Sequence, residues 1–486
     1  MKKKLRLKRS LRKRIKYQVF RIRNIFSLLS FCLTIVFIVF LGKMNLIPNK
    51  YVVLISLVLI LLDFLSIYLI NIYEKKWLKI IGAILMFIIT CVCSVGIYYL
   101  SSTENFLNKS FTNKELYEKN TYYVVGLSSN KYKESDISDE VSVYKETVHL
   151  KKALKKLNEK YEVQSKSYDD IGLVFDNIIN KTDKFMLVEK ASYEIVFSIS
   201  KKYKKSDFDI IYKYDIYTKK KKSKSTNFDK FNIYIGGTDF SGLMDFNMIT
   251  TVNTKKHEIL LTSIPRDYYI EVVGKNGAKD KLSFMSAYGS DASKDSLAKL
   301  FNTDIDYSVT VNTDSLVEIV DYVGGIEFCS NYACTTTHEK VNNSFDDSGK
   351  KLTINKGCQK LNGIETLTVA RERNAFQGRD RVRQENCQKI IISILKKLIS
   401  TDSMLHYNET LNTLSSLYDT DIPKDVISNI SKDVINNGNN WKFKTQSVDG
   451  TDGHDKVHLS NMVDWVMYPN DETVKKAEAK IKKTLK

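Results

Sequence analysis

The sequence predicts an α/β protein held by three N-terminal transmembrane helices, in which a small α/β domain precedes a larger one. Three apolar runs, each near the length that crosses a bilayer, lie within the first 100 residues. Beyond them, strand-like apolar runs alternate with amphipathic helical patterns. The length of 486 residues also exceeds that of one ordinary domain.

The positive charge is concentrated at the N-terminus. The net charge is +19, and residues 1–24 hold twelve Lys or Arg and no acid, which leaves +7 for the rest of the chain. A basic block can bind nucleic acid. Because apolar spans follow it directly, we interpret this tail as a cytoplasmic segment that contacts anionic membrane lipid, and we expect no nucleic-acid partner.

Residues 25–100 are expected to contain the three spans. Ile25–Gly42 and Ile80–Leu100 carry no charge, and Tyr51–Tyr73 carries only Asp63. Three runs in succession indicate a retained anchor rather than a cleaved signal peptide. Asp63 is costly in lipid, and a polar contact between spans is favoured over a functional role because no second charge in the spans offers a partner.

The orientation follows from the positive-inside rule. Lys and Arg precede the first span and recur at Lys75 and Lys76 in the second short loop. Both segments are therefore expected in the cytoplasm. The protein is predicted to be a multi-pass cell-membrane protein with everything after Leu100 outside. Its high Lys, Asn, Ile and Tyr content, with only four prolines, fits a Gram-positive source.

Composition divides the rest of the chain into an accessory domain at 108–217, a lysine-rich linker or hairpin at 218–227, a second α/β domain at 228–400 and a C-terminal extension at 401–486. In the second domain we expect strands at Phe231–Ile235, Glu258–Ile264, Tyr307–Val311 and Thr366–Ala370, and helices at Asp295–Leu300, Ser315–Tyr322 and Asn386–Ile399. Further helices are expected in the extension, near Pro423–Ile435 and Asp471–Leu485.

Four of the seven cysteines lie outside the spans: Cys329, Cys334, Cys358 and Cys387. An oxidising exterior makes a disulfide plausible, and Cys329 with Cys334 could close a small loop. Zinc is disfavoured because there is no CxxC pair, and Cys334 with His338 is the only Cys-His pair near metal-ligand spacing.

Two carboxylates follow a predicted strand in the run IGGTDFSGLMDFNMI. Asp239 and Asp245 flank a short loop after two glycines, and carboxylates at a strand end suit Mg²⁺, which reaches protein through one or two carboxylates and substrate phosphate. An ordinary Gly-Gly-Thr-Asp turn is the simpler explanation when this run is taken alone.

Arginines follow two further predicted strands. Arg266 and Asp267 come after an apolar strand, where a guanidinium can grip phosphate and a neighbouring carboxylate can brace it; a surface ion pair is equally consistent. Five more arginines lie between a predicted strand and a predicted helix: Arg371, Arg373, Arg379, Arg381 and Arg383. Their planar guanidinium groups match the geometry of phosphate, so they favour a polyanion site over a solvated basic patch. Together these runs suggest a clamp for a pyrophosphate.

The order of the motifs resembles the LytR-CpsA-Psr (LCP) family. The matching runs are GGTD, DFNMI, SIPRDYY, KLSFMSAYG, DIDYSVTVN, VDYVGGIEF, GCQKLNGIETLTVARER and GRDRVRQENCQ. They span about Phe231 to Leu398, a whole catalytic domain. Three spans followed by an accessory domain resemble the CpsA-like, capsule-associated branch.

This resemblance implies an α/β/α catalytic domain with a central mixed sheet that binds a polyprenyl pyrophosphate, with a tunnel for the lipid. It implies a phosphotransferase that moves an anionic glycopolymer, a teichoic acid or capsular polysaccharide, from undecaprenyl pyrophosphate to the muramic acid hydroxyl of peptidoglycan. Asp239 and Asp245 would hold Mg²⁺. Phosphate contacts would come from Arg266, Lys281, Arg371, Arg373, Arg383 and Gln388, with Asp267, Asp380 and Asn386 in support.

Three departures from the family pattern bear on the site. Leu243 and Met244 precede Asp245 where the family usually has a longer loop with an arginine, and Arg379 interrupts the usual Gly-Asp spacing. Cys387 replaces a glutamine; it is either a small apolar substitute or half of a disulfide with Cys358, and the disulfide is slightly favoured.

Two other functions use the same residues. In a polyprenyl-pyrophosphate hydrolase, water would attack instead of a sugar hydroxyl. A non-enzymatic regulator of wall or capsule synthesis finds support only in the basic tail, which contains no recognisable DNA-reading fold. The transferase is the favoured interpretation.

Overall fold

The computed structural model describes residues 22–71, 75–111, 117–137, 139–220, 228–239, 241–342, 346–376, 378–398, 417–437 and 441–486. Most of the basic tail and most of the lysine-rich linker lie outside these residues. The chain divides into two compact units. One holds the N-terminal helices to Lys109 together with Lys424–Asn439, and the other holds most of the remainder.

The first unit contains α1 (Ile22–Met44), α2 (Asn49–Asn71) and α3 (Lys76–Ser110). All three are long and apolar enough to cross a membrane, as the sequence predicts. The hydroxyl of Ser30 in α1 lies 3.5 Å from the buried carboxylate of Asp63 in α2, and Thr90 in α3 donates to Ser30 at 3.0 Å. Asp63 is therefore a polar contact between helices.

The accessory domain is a mixed sheet with three helices among its described residues. In chain order it comprises β1 (Tyr117–Leu127), β2 (Asp139–Tyr144), α4 (Leu150–Asn158), β3 (Val163–Tyr168), α5 (Ile171–Ile179), β4 (Phe185–Glu189), α6 (Lys190–Ile199) and β5 (Phe208–Lys219). The strand order is β3-β2-β4-β1-β5. Helix α4 is amphipathic, because it buries Ala153 and Leu157 and leaves its lysines exposed.

One hydrophobic core joins the accessory domain to the larger domain. Phe175 and Tyr193 from α5 and α6 belong to the same buried cluster as Phe284, Val457 and Val466. Both domains also belong to the second compact unit. The accessory domain thus packs against the larger domain through a shared core.

The larger domain begins with β6 (Lys230–Thr238), β7 (Met244–Asn253), β8 (Glu258–Ile264), β9 (Tyr269–Glu271), β10 (Lys279–Lys281), α7 (Ala292–Leu300), β11 (Tyr307–Asn312) and α8 (Thr313–Tyr322). It continues with β12 (Ile326–Ser330), β13 (Cys334–Asn342), β14 (Asp346–Ile354), β15 (Gly357–Leu361), α9 (Gly363–Arg371) and α10 (Asp380–Leu398). The final elements are β16 (Tyr418–Thr420), α11 (Lys424–Asn437), which belongs to the first unit, β17 (Lys442–Ser447), β18 (Gly450–Lys456), β19 (Val463–Pro469) and α12 (Asp471–Leu485).

The central sheet is mixed, as the resemblance implies. Its described strands have the order β16-β11-β6-β7-β8-β17. β6 is parallel to β11 and β8 is parallel to β17, while β7 runs antiparallel to both of its neighbours. The ends of β6, β8, β11 and β17 and the start of β7 therefore meet at one edge, where an α/β sheet presents its ligand site.

The segment treated as a C-terminal extension contributes to this sheet. β16 and β17 form its two edges, and α12 packs on it through the buried side chains of Val474, Ala477 and Ile481. The Asn253 side chain in β7 also donates to the backbone oxygen of Thr484 at 2.7 Å. The α/β domain therefore continues to the end of α12.

The prediction of a strand at Thr366–Ala370 is wrong, because these residues lie in α9. Asn362 caps the helix by accepting from the Glu365 backbone at 2.9 Å, and the Asn362 backbone donates to the Glu365 carboxylate at 3.1 Å. This capping box fixes a helix start that outweighs the strand tendency of the threonines and Val369.

The disulfide joins Cys329 to Cys358, so neither the Cys329–Cys334 loop nor the Cys358–Cys387 pair forms. The two partners face each other in the antiparallel pair β12–β15, with Cα atoms 3.9 Å apart. Cys387 is a buried free thiol in α10, 3.6 Å from the backbone oxygen of Ala370. It acts as a small core residue, the alternative that the sequence left open.

Candidate functional site

The Asp245 carboxylate lies at the centre of an arginine cluster at the edge of the central sheet. Its Oδ1 contacts Nη1 of Arg266 and lies 3.1 Å from Nη2 of Arg373. Nη1 of Arg383 lies 3.5 Å from Oδ2 and donates to the Asp245 backbone oxygen at 3.1 Å. Three guanidinium groups therefore converge on one carboxylate.

Neighbouring elements bring these side chains together. Asn247 in β7 pairs with Ile264 in β8, so Arg266, two residues beyond Ile264, lies opposite Asp245. Arg373 follows the C-terminus of α9, and Arg383 lies in the first turn of α10 with only 4% of its side chain exposed. Asp380, one turn before Arg383, accepts from its Nε at 2.7 Å and lies 3.6 Å from Nε of Arg373.

Electrostatics fix the charge states in this cluster. Burial raises the pKa of Asp245, but Arg383, Arg266 and Arg373 outweigh it and hold this pKa at about 2. Burial and the neighbouring Arg383 and Arg266 lower the pKa of Arg373. The arginines thus repel one another around Asp245, and an incoming dianion would relieve this repulsion.

Asp267 and Lys281 form a second layer next to Arg266. One oxygen of Asp267 lies 3.4 Å from Nε of Arg266, and the other lies 2.9 Å from Nζ of Lys281. Nζ of Lys281 also contacts Asp464 in β19 at 2.8 Å. Lys281, expected to contact phosphate, is here held between two carboxylates, and Asp464 is a site residue that the motifs do not include.

Asp239 closes the turn between β6 and β7. Its Oδ1 accepts from the backbone and hydroxyl of Ser241, at 2.9 and 2.6 Å, and from the Leu243 backbone at 3.0 Å. The ordinary turn weighed from the sequence is therefore present. It does not exclude a metal role, because these bonds use one oxygen of the carboxylate and Mg²⁺ needs few protein ligands when phosphate supplies the rest.

The remaining predicted site residues lie at different depths. Gln388 donates to the Gln446 backbone oxygen at 2.7 Å and so ties α10 to β17. Asn386 is 3% exposed, and its Nδ2 has no hydrogen-bond partner in the described part of the chain. Arg381 is exposed and pairs with Asp449 at 2.5 Å, away from Asp245.

An apolar cavity opens beside the arginine cluster. Arg371, Arg383 and Asp245 are among the residues that line it. Its apolar walls come from β7, β11 and the helices α8, α9 and α10, through Phe246, Val311, Leu316, Leu367, Ala370, Cys387 and Ile390. The motifs gave no indication of these walls, because the residues come from five separate elements.

The sequence model of the LytR_cpsA_psr family matches residues 196–483, more than half of the chain. The chain belongs to the LytR-CpsA-Psr family. The matched range begins within α6 and ends within α12, so the family domain includes the edge strands of the central sheet and the β18–β19 hairpin.

Among similar LytR-CpsA-Psr relatives, the polyisoprenyl-teichoic acid–peptidoglycan teichoic acid transferase TagU of Enterococcus faecalis is 30% identical over 224 residues, 44% of this chain and 69% of that protein. An uncharacterised Staphylococcus aureus protein is 30% identical over 50% of this chain and 55% of its own length, so the chain spans about half of that relative. TagU of Bacillus subtilis is 28% identical over 44% of this chain and 68% of its own length.

Solved structures also resemble this LytR-CpsA-Psr chain. TagT bound to LIIa-WTA is 20% identical, covers 55% of this chain and 96% of that one, and has a TM-score of 0.43. The Streptococcus agalactiae protein gbs0355 is 24% identical, covers 54% of this chain and 91% of that one, and has a TM-score of 0.45.

Proposed function

We propose that this protein is a membrane-anchored phosphotransferase that moves a glycopolymer from a polyprenyl pyrophosphate carrier to peptidoglycan. The observation that carries the proposal is the convergence of Arg266, Arg373 and Arg383 on Asp245 at the mouth of an apolar cavity. Membership of a family whose named relatives are teichoic acid transferases supports it.

The arginine cluster suits a pyrophosphate. Three guanidinium groups converge on the Asp245 carboxylate, and planar forks of this kind bind phosphate oxygens in pairs. Arg371 at the cavity mouth and the buried amide nitrogen of Asn386 provide further donors. A pyrophosphate of at least two negative charges would take over the contacts that Asp245 now holds.

The apolar cavity suits the first isoprene units of an undecaprenyl chain. Its walls are formed mostly by aliphatic and aromatic side chains, and Arg371 and Arg383 also line it. A ligand that carries a charged head on an apolar tail fits this arrangement. The three helices would hold the enzyme in the same bilayer as such a lipid, which raises its effective concentration.

We propose that Asp239 and Asp245 hold Mg²⁺ together with pyrophosphate oxygens. Both are oxygen donors at the β6–β7 turn, as Mg²⁺ prefers. Because Asp245 is already surrounded by three guanidinium groups, a cation beside it requires the negative charge of the substrate. When bound, the ion would neutralise negative charge on the pyrophosphate.

In the proposed reaction, a muramic acid hydroxyl oxygen forms a bond to the phosphorus that carries the glycan. The bond between that phosphorus and the bridging oxygen breaks, and the lipid leaves as its monophosphate. The arginines hold the charge that develops on the leaving phosphate. The hydroxyl proton passes to a carboxylate at the β6–β7 turn, and Asp239 and Asp245 are the two candidates for this role.

The topology that suits this substrate places the catalytic domain outside the membrane, on a Gram-positive cell surface, with the N-terminus in the cytoplasm. The transferred polymer would be a teichoic acid or a capsular polysaccharide, both anionic. A polymer of either class reaches the outer leaflet on its lipid carrier, where this site would meet it.

The test uses the full chain in detergent with a polyprenyl-pyrophosphate glycan and peptidoglycan oligomers, with and without Mg²⁺, followed by mass spectrometry. We expect a glycan-phosphate-peptidoglycan adduct and lipid monophosphate in equal amounts. If free glycan phosphate is the sole glycan product, the protein is a hydrolase and the proposed transferase activity is wrong. Bound but unchanged lipid would indicate a non-enzymatic regulator.

A further inference from the structure

The hairpin β18–β19 presents an exposed face next to the arginine cluster. In the register of the hairpin, His454 faces Trp465 and Lys456 faces Val463. All four are exposed; 36% of Trp465 and 67% of Val463 are accessible. An indole ring flanked by a histidine and a lysine on one sheet face combines an apolar platform with hydrogen-bond donors.

Both strands of this hairpin are attached to the site near the base of the hairpin. Near its base, Asp449 accepts from Arg381 at 2.5 Å, and its backbone oxygen accepts from the Tyr268 hydroxyl at 2.6 Å. In β19, the Met467 backbone donates to the backbone oxygen of Asp267 at 2.8 Å. The residues beside Arg266 therefore position the hairpin directly.

Lys281 connects the exposed face to the arginine cluster. Its Nζ contacts Asp464 at 2.8 Å and Asp267 at 2.9 Å, and it lies 6.0 Å from the centre of the Trp465 ring. Asp267 in turn lies 3.4 Å from Arg266. Trp465 is thus continuous with the pyrophosphate site through a short chain of charged groups.

The hairpin and the apolar cavity lie on different sides of this site. The cavity walls come from β7, β11 and their neighbouring helices, whereas the hairpin follows β17 and attaches to the segment after β8. In phosphoryl transfer the attacking and leaving oxygens are roughly in line. If the lipid leaves toward the cavity, the acceptor hydroxyl must approach from another side of the site, and the hairpin lies on the β8–β17 side.

From these relationships we propose that the Trp465 face of the β18–β19 hairpin binds the glycan strand of the acceptor, with the indole ring stacked on the apolar face of a sugar. His454 and Lys456 supply hydrogen bonds to hydroxyl and carboxylate groups of that strand. The inference rests on the proposed transferase function and adds its acceptor subsite. Lys281 and Asp464 are positioning residues that hold this face in place.

The test measures transfer by the full chain in detergent, varying peptidoglycan oligomer and lipid-linked donor separately. Trp465→Ala is expected to raise the KM for the oligomer about tenfold, with the KM for the donor changed less than about twofold. Trp465→Phe should recover most of this loss. Tyr217→Ala, which removes an exposed ring from β5, is the matched control and should change neither constant.

The outcomes separate this inference from the proposed function. No transfer by the wild-type protein would reject the transferase itself. Wild-type transfer with an unchanged oligomer KM in Trp465→Ala would overturn the acceptor face alone. A rise in the donor KM without a change in the oligomer KM would assign the hairpin to the donor glycan and would equally overturn the inference. Thermal unfolding of each variant shows whether it is folded.

Discussion

Arg383 and Asp245 make two contacts at once: Nη1 of Arg383 lies 3.1 Å from the backbone oxygen of Asp245 and 3.5 Å from its carboxylate. The same guanidinium donates through Nε to Asp380 at 2.7 Å. A lysine carries one nitrogen and cannot satisfy these directions together. The position therefore requires arginine for its shape as much as for its charge.

Arg383→Lys is expected to lower kcat/KM for the lipid-linked donor by about 100-fold or more, as the loss of one preorganised donor does in other charged sites. Steady-state transfer assays measure this effect. Lys396→Arg, an exposed position on the same helix, is the control and should retain wild-type activity. Wild-type activity in Arg383→Lys would show that the Arg383 side chain does not contribute to the site.

Asp245 predicts a dependence of stability on acid. Its pKa in the folded chain is about 2, below its ordinary value of 3.8, so its contribution is complete above pH 4 and is lost as the pH falls toward 2. We expect roughly 2 kcal/mol of unfolding free energy to disappear over this range. Denaturant unfolding curves at pH 4.5 and pH 2 measure the difference in unfolding free energy. In Asp245→Asn this difference should be smaller than in the wild-type protein by that amount. Parallel curves for the two proteins would contradict the ion pairs described above.

The Cys329–Cys358 disulfide closes a loop with a sequence separation of 29. Reduction, or Cys329→Ser, is expected to lower the unfolding free energy by roughly 3 kcal/mol. Cys387→Ser, which alters a free thiol, should leave the disulfide intact in a non-reducing thiol count. Two free thiols at Cys329 and Cys358 in the oxidised protein would refute the pairing.

Binding of Mg²⁺ is expected to depend on the pyrophosphate. Isothermal titration of the full chain with Mg²⁺ should give little heat alone and measurable binding after saturation with geranyl pyrophosphate, because Asp245 is already neutralised by arginines. Asp239→Asn should weaken the second binding event about tenfold or more. Equal Mg²⁺ affinity with and without the pyrophosphate would contradict this coupling.

The sequence predicts the part of the site that short motifs encode. Arg266, Arg373 and Arg383 each follow or begin a regular element, and a sheet with parallel strands brings such positions to one edge. Asp464 could not be found in this way, because it is 183 residues from its partner Lys281 and no motif includes it. The motifs include several residues of the cavity walls, but the packing of the helices decides that these residues line one cavity.

Local signals also explain the errors in secondary structure and cysteine pairing. The run TLTVA alternates like a strand, whereas the capping box of Asn362 and Glu365 decides the helix. The disulfide depends on the register of β12 with β15, which the spacing of four cysteines does not contain. The first error comes from reading the alternation of the run without the capping box that precedes it, and the second from the absence of strand register in the cysteine spacing.

The core shared by Phe175 and Tyr193 with Phe284 and Val466 limits how this protein can be rearranged. A cut between the two domains would expose aromatic surface on both fragments, and each would be prone to aggregate. Chimeras that exchange the accessory domain between relatives must therefore exchange the matching surface of the catalytic domain as well. Substitutions in the accessory domain are constrained in the same way, because its core side chains pack against core side chains of the catalytic domain.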